Sequence, residues 1–303
     1  MLVRMLLAST AVLAIWFAGT PLPAAAARNL TMVTRGPVMA TTMQKAFVGP
    51  FTAATDLPVT VQSWDPLTGP LADKLKAASK DWDLVQVDGT ELLAGCANNL
   101  FEKLDWSQIG GKDHYLPQAV SDCGVGAAVS NLVLAWDRDK FPGNPTWADF
   151  WDVAKFPGKR GLRKTVQGSL EIALLADGVA PGDVYKTLAS NEGVDRAFRK
   201  LDQLRPYIVW WRTQQEAGKI ITSGDVLMAS APSSEIVQAT LAMHRNFGIQ
   251  WNDSLYGVLS WAIVKGSPNQ RAALQFLYFA GTPAIQARLV GLFGEGGLAK
   301  GAN

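Results

Sequence analysis

The sequence predicts an α/β fold built mostly on parallel sheet. Short apolar strands alternate with amphipathic helices from about residue 28 onward. The same strand–helix grammar then returns in the second half with no low-complexity linker between. Composition agrees: 48% hydrophobic and 18% charged residues describe a globular chain, and 303 residues suffice for two domains.

Taken in order, "NLTMVT" is apolar enough for a buried strand and "RGP" ends it. "VMATTMQKAFVGPFTAAT" has helical spacing at Val38, Ala46, Phe47 and Phe51, with a bend expected at Pro50. "PVTVQSW" alternates as a strand, "LTGPLADKLKAAS" as a polar-faced helix, and "WDLVQVD" and "SNLVLAWD" are further strands. In the second half "SLEIALLADG" and "GVDRAFRKLDQL" are helical, the first stopped by Gly178. "YIVWW" and "GDVLMASAP" are strands, "SSEIVQATLAMHRN" is a helix capped by Ser233 or Ser234, and "WAIVKGSP" is a strand before two closing helices. Without a linker, two α/β lobes would join through strands, and the chain would cross between them more than once.

Residues 1–27 carry Arg4, an apolar run from Met5 to Ala18 and small residues at Ala24–Ala27, the three-part plan of a secretory signal peptide. The run is short for a membrane span. Without Arg4, 27 of the 28 Lys and Arg remain against 26 Asp and Glu, a balance that gives nucleic acid no footing. An exported chain meets an oxidising compartment, so Cys96 and Cys123 are expected to form a disulfide. Closing a loop of about 27 residues is worth roughly 3–4 kcal/mol on the loop-entropy model.

Catalytic signatures come close and fail. "GVGAAV" at 124–129 lacks the strand before and the helix after that a dinucleotide fingerprint needs. "GKRGLRKT" has Arg163 where a phosphate loop needs Gly. No metal cluster is expected, since only His114 and His244 could join the two cysteines, and both histidines suit surface or cap positions. The run Lys159, Arg160, Arg163, Lys164 is most simply a solvated edge, with a protein-docking contact as the sharper alternative. In "YIVWWRTQQ" the two indoles of a strand face opposite ways. Trp210 is the expected core residue and Trp211 the expected ligand wall, with Arg212 beside it.

The blocks "LFEKLDWSQI", "SDCGVGAAVSNLVLAWD", "PTWADFWDVAKFPGKRGLRK", "SLEIALLADGVAPGDVY", "SGDVLMASA" and "WAIVKGSPNQRAALQFL" together resemble the spermidine/putrescine type of ABC-transporter solute-binding protein, over about residues 30–300. The resemblance implies a type II periplasmic binding protein, two α/β lobes with crossed hinge strands. Lobe one would be 28–135 plus 256–303 and lobe two 136–255. It implies a periplasmic monomer that closes on a small solute and delivers it to a membrane permease, with no cofactor and no enzymatic activity.

The expected contacts lie in the turn Thr34–Arg35–Gly36, at Asp65, Asp88 and Glu171, at Trp211 and Arg212, and at Gly257 and Leu259 of "YGVLSWAIV". Carboxylates and aromatic faces suit an ammonium chain. Yet Leu259 stands where such proteins usually carry an acid, and no tryptophan or polar contact follows "DVLMASA" closely. Arg35 and Arg212, if turned inward, suit an anion or zwitterion better than a dication. The primary expectation is a polyamine-like or related nitrogenous solute. The alternatives are an anionic or zwitterionic ligand on the same fold, or an exported enzyme on that scaffold. Relatives of this pattern continue beyond the position of Asn303, so a truncated or shortened form is expected, and a paralogue that no longer transports is a further possibility.

Overall fold

The structure, a computed structural model, describes residues 28–64, 69–77, 81–293 and 296–302. The signal-peptide segment 1–27 and Asp65 lie outside them. Eight strands form one sheet: β1 Leu30–Arg35, β2 Val59–Trp64, β3 Leu84–Val87, β4 Val125–Asp137, β5 Arg160–Arg163, β6 Ile208–Trp211, β7 Met228–Pro232 and β8 Phe247–Ile263. Their spatial order is β2-β1-β3-β8-β4-β7-β5-β6. At one end β2, β1 and β3 are parallel, and at the other β7, β5 and β6 are parallel.

The centre is different. β4 and β8, 13 and 17 residues long, pair antiparallel along most of their lengths. The late part of β8 pairs β3, while the late part of β4 pairs β7. Both strands therefore run from one end of the sheet to the other. Their burial falls midway, over Val129–Leu132 and Trp251–Val258, and is complete again at both ends. The register shifts between Gly126 and Ala128 and again between Leu132 and Leu134. Such bulges bend and twist a ladder locally.

Each end of the sheet has a core on both faces, because successive side chains on a strand alternate. Met32, Phe47, Trp261 and Phe276 share one cluster at the first end, and their neighbours Val33, Val85 and Ala262 share another. At the second end Leu134, Trp136, Leu162 and Met228 oppose Ala135, Trp211, Ala229 and Ala231. Helices cover both faces, as parallel strands require.

Several expectations need correction. "GVGAAV" belongs to β4, which begins at Val125 rather than near Ser130. Pro50 does not bend the end of its helix; it sits in the first turn of helix Gly49–Thr55, where its missing N–H costs little. A π-helical turn, Gln44–Val48, precedes it. Helix Ser233–Met243 has Pro232 as its N-cap and no side-chain cap, so neither serine caps it. Gly178 does stop helix Val166–Ala176, at φ 81°. Cys96 and Cys123 form the disulfide, Cα–Cα 6.1 Å, tying helix Gly89–Ala97 to the start of β4.

Candidate functional site

Two cavities share Arg35, Arg163 and Gln214, and the larger of them lies against the middle of β4 and β8. The smaller, about 270 Å³, is bordered by Trp64, Arg212 and Glu235 as well. The larger, about 500 Å³, is bordered by Asp88, Glu171, Tyr185 and the β8 segment Leu255–Ser260. A third hollow of about 1000 Å³ opens near Phe51, Arg271 and Tyr278, with no carboxylate on its wall.

Arg35 ends β1 and turns toward the acids rather than toward solvent. Its Nη1 donates to Asp88 Oδ2 at 3.3 Å and to Glu91 Oε2, and its guanidinium lies 5.7 Å from the Trp64 ring centre. Asp88 is the N-cap of helix Gly89–Ala97 in a reciprocal capping box with Glu91. Burial pushes the Glu91 carboxyl up, against the pull of the Arg35 charge. Gly36, at φ 73°, continues the turn and borders the smaller cavity. Thr34 borders neither cavity: it is fully buried, its hydroxyl donating to Gln62 O at 3.4 Å across the β1–β2 pair.

Arg163 was expected on a solvated edge and lies instead between the two cavities. It ends β5, which sequence periodicity did not reveal as a strand. Its guanidinium lies 5.7 Å from the Trp211 ring centre, and among the described residues its buried Nε has no hydrogen-bond partner. Burial, then the nearby Arg35 charge, lower its pKa, while Asp88 and Glu171 oppose them. Arg160 is also no edge residue: it is fully buried and donates to Phe150 O, Gly158 O and Phe156 O at 2.6, 2.9 and 2.7 Å. Lys159 and Lys164 remain exposed.

The tryptophan pair is inverted. Trp210 is 42% exposed and Trp211 only 2%. Helix Gln214–Thr222 covers the face of β6 that carries Trp211. Trp211 enters the cluster with Ala217 and Ile221 and donates its Nε1–H to Ser230 O at 2.9 Å. It backs Arg163 and borders neither cavity. Arg212 is exposed at the rim of the smaller cavity, with no ion pair among the described residues.

Glu171 lies on the wall of the larger cavity. Gly168, at φ 88°, makes the turn into its helix and donates its N–H to Glu171 Oε2 at 2.7 Å. A Cβ on Gly168 would stand 2.8 Å from Leu132 Cδ2, so the close approach also calls for glycine. Burial raises the Tyr185 pKa, and the neighbouring Glu171 carboxylate raises it further. Gly257 is exposed in β8 opposite Ser130, on the wall of the larger cavity. Leu259 borders that cavity while packing, 7% exposed, in the core with Trp261. His114 is exposed, and His244 closes helix Ser233–Met243 in the left-handed conformation, as a cap residue would.

Sequence reasoning missed Glu235. It is 8% exposed in the first turn of helix Ser233–Met243, bordering the smaller cavity, and its Oε1 has no partner among the described residues. Burial pushes its carboxyl up. The only available signal was an acid soon after the strand "LMASAP", where the expected contact was judged absent.

One sheet shared by two ends, with two long antiparallel strands between them, is a fold this chain shares with solved periplasmic binding proteins. The chain belongs to the bacterial extracellular solute-binding protein family, whose model matches residues 46–303. It is 39% identical to the gamma-aminobutyric acid-binding protein of Pseudomonas aeruginosa, over 86% of this chain and 74% of that one. Among solved structures, an ABC transporter substrate-binding protein from Bradyrhizobium japonicum USDA 110 superposes with a TM-score of 0.81 at 30% identity, covering 90% of this chain and 84% of that one. The Atu4243–GABA receptor superposes with a TM-score of 0.77 at 28% identity, covering 91% and 84%. A small-molecule ligand and a membrane permease follow from the family, whose members are periplasmic. No helix among the described residues is long and apolar enough to cross a membrane.

Proposed function

We propose that this chain is the binding component of an importer for a small zwitterionic solute of the amino-acid type, exported by residues 1–27 and active as a monomer. The solute would sit between lobe one, 28–135 with 256–303, and lobe two, 136–255. The carrying observation is Arg163, which lines both cavities with no ion pair and no hydrogen bond from its guanidinium among the described residues. A carboxylate would satisfy it with a charge-assisted hydrogen bond.

The same geometry argues against a diamine. Arg35, Arg163 and Arg212 place three cations around the smaller cavity, and Leu259 brings no acid to β8. Like charges brought together in a partly desolvated site repel strongly. A zwitterion meets both signs, because Asp88, Glu171 and Glu235 border the two cavities. Similarity to proteins named for gamma-aminobutyric acid supports this choice over a polyamine.

Calorimetric titration with 4-aminobutyrate and putrescine tests it. The wild type should bind 4-aminobutyrate and not putrescine. Arg163→Gln should weaken binding by about thirtyfold or more, the effect of removing one partner of a buried charge pair. Binding of putrescine alone, or full affinity in Arg163→Gln, would sink the proposal.

A further inference from the structure

Glu235 and Arg163 border the same 270 Å³ cavity, carry opposite charges, and no ion pair joins them. Each has a buried polar atom without a partner among the described residues, Glu235 Oε1 and Arg163 Nε. A buried carboxylate without hydrogen bonds is a costly arrangement. Packing nonetheless holds this one in place. It follows Pro232, Ser233 and Ser234 directly at the end of β7, so its backbone is fixed by the sheet. Gly218, on helix Gln214–Thr222, closes over it so tightly that a Cβ there would lie 3.1 Å from Glu235 Oε2. Neither of its oxygens has a hydrogen-bond partner among the described residues: Oε1 is sealed off from solvent, and Oε2, beside Gly218, is the more accessible of the two.

We infer that Glu235 is the specificity-determining residue of the cleft, accepting the ammonium of a solute whose carboxylate occupies Arg163 across the same cavity. This rests on the zwitterion reading and adds what that reading leaves open, the group that recognises the cationic end. Asp88 is a weaker claimant because its carboxylate already caps a helix and meets Arg35. Glu171 is weaker too, since its Oε2 accepts from Gly168. Glu235 is the carboxylate that a bound ammonium would complete. A molecule with only a carboxylate leaves it orphaned and is rejected for that reason; sites built to bond a group discriminate strongly against analogues lacking it.

The test compares 4-aminobutyrate with butyrate, which keeps the carboxylate and lacks the ammonium, by calorimetry on the full protein. The wild type should prefer 4-aminobutyrate by about thirtyfold or more. Glu235→Gln should remove that preference, lowering 4-aminobutyrate affinity to the butyrate level while leaving butyrate unchanged. Glu235→Asp, which keeps the charge, should keep a preference, and decides the matter if the Gln variant does not fold. Arg163→Gln should lose both ligands. A Glu235→Gln protein that still prefers 4-aminobutyrate by the wild-type factor overturns this inference and leaves the zwitterion reading standing. Wild-type protein that binds neither ligand overturns both.

Discussion

Two buried carboxylates in this molecule show how partners decide the meaning of burial. Glu235 is held among groups that leave an oxygen unbonded, and its carboxyl is pushed up. Asp83 is fully buried, yet burial's upward push is outweighed by Arg28, Ser267, the Thr31 N–H and Asn269, and its pKa falls below the usual value. Asp83 Oδ2 accepts from Thr31 N at 2.7 Å and from Arg28 Nη1 at 2.5 Å, and Oδ1 accepts from Ser267 Oγ at 2.6 Å. One side chain thus joins the first strand to the turn after β8. Breaking such a set by Asp83→Asn should cost about 3 kcal/mol, since the buried donors lose a charged acceptor. A depressed folded pKa stabilises above the unfolded value and fades as pH falls through the folded one. The melting-temperature gap between wild type and Asp83→Asn should therefore be full at pH 7 and shrink below about pH 4. A gap independent of pH would count against the assigned role of the charge.

At the scale of elements, the disulfide is a brace between helix Gly89–Ala97 and β4, and Cys123 lies in the core cluster with Val33 and Val85. Replacing both cysteines by serine should lower stability by roughly 3–4 kcal/mol, read as a fall in the urea midpoint; an unmoved midpoint would show that the loop is already constrained. Elements also explain what periodicity reveals. β1 and β3 are apolar runs bounded by turn residues and read directly, whereas only the end of β8, "WAI", did so; its polar, exposed middle, Trp251–Gly257, hid the rest of the strand. β5 is "RGLR", whose two arginines disguise a strand covered on both sides by β6 and β7. Arg160 is buried there because helix Trp147–Trp151 and the loop after it supply three carbonyls, a tertiary provision that no local pattern announces. The Trp210–Trp211 alternation was legible, but which indole faced inward depended on the placement of helix Gln214–Thr222.

For the whole molecule, the α/β class and the crossing of the chain between ends followed from alternation and the missing linker, while the charge pattern of the cleft did not. Arg163 and Glu235 are 72 residues apart by number and meet at one cavity only through the β5–β7 pairing. Arg35 and Asp88 were individually visible as candidates, but their mutual engagement needed the parallel pairing of β1 with β3. The same crossing strands bear on how the chain matures. The cluster around Leu134, Trp136 and Met228 is drawn from one continuous stretch, 134–228, whereas that around Met32 and Phe47 also needs Trp261, Phe276 and Leu298. The first end of the sheet cannot complete its core until that later part of the chain has joined it. Contacts of such long sequence separation form late, since loop-closure entropy is spent before they return anything. Pulse-labelled hydrogen exchange during refolding should find β5–β7 amides protected before those of β1 and β2; simultaneous protection would contradict this order. Until β8 and the helices Gln270–Ala280 and Pro283–Phe293 arrive, the apolar side of β1 is left open to whatever else would cover it.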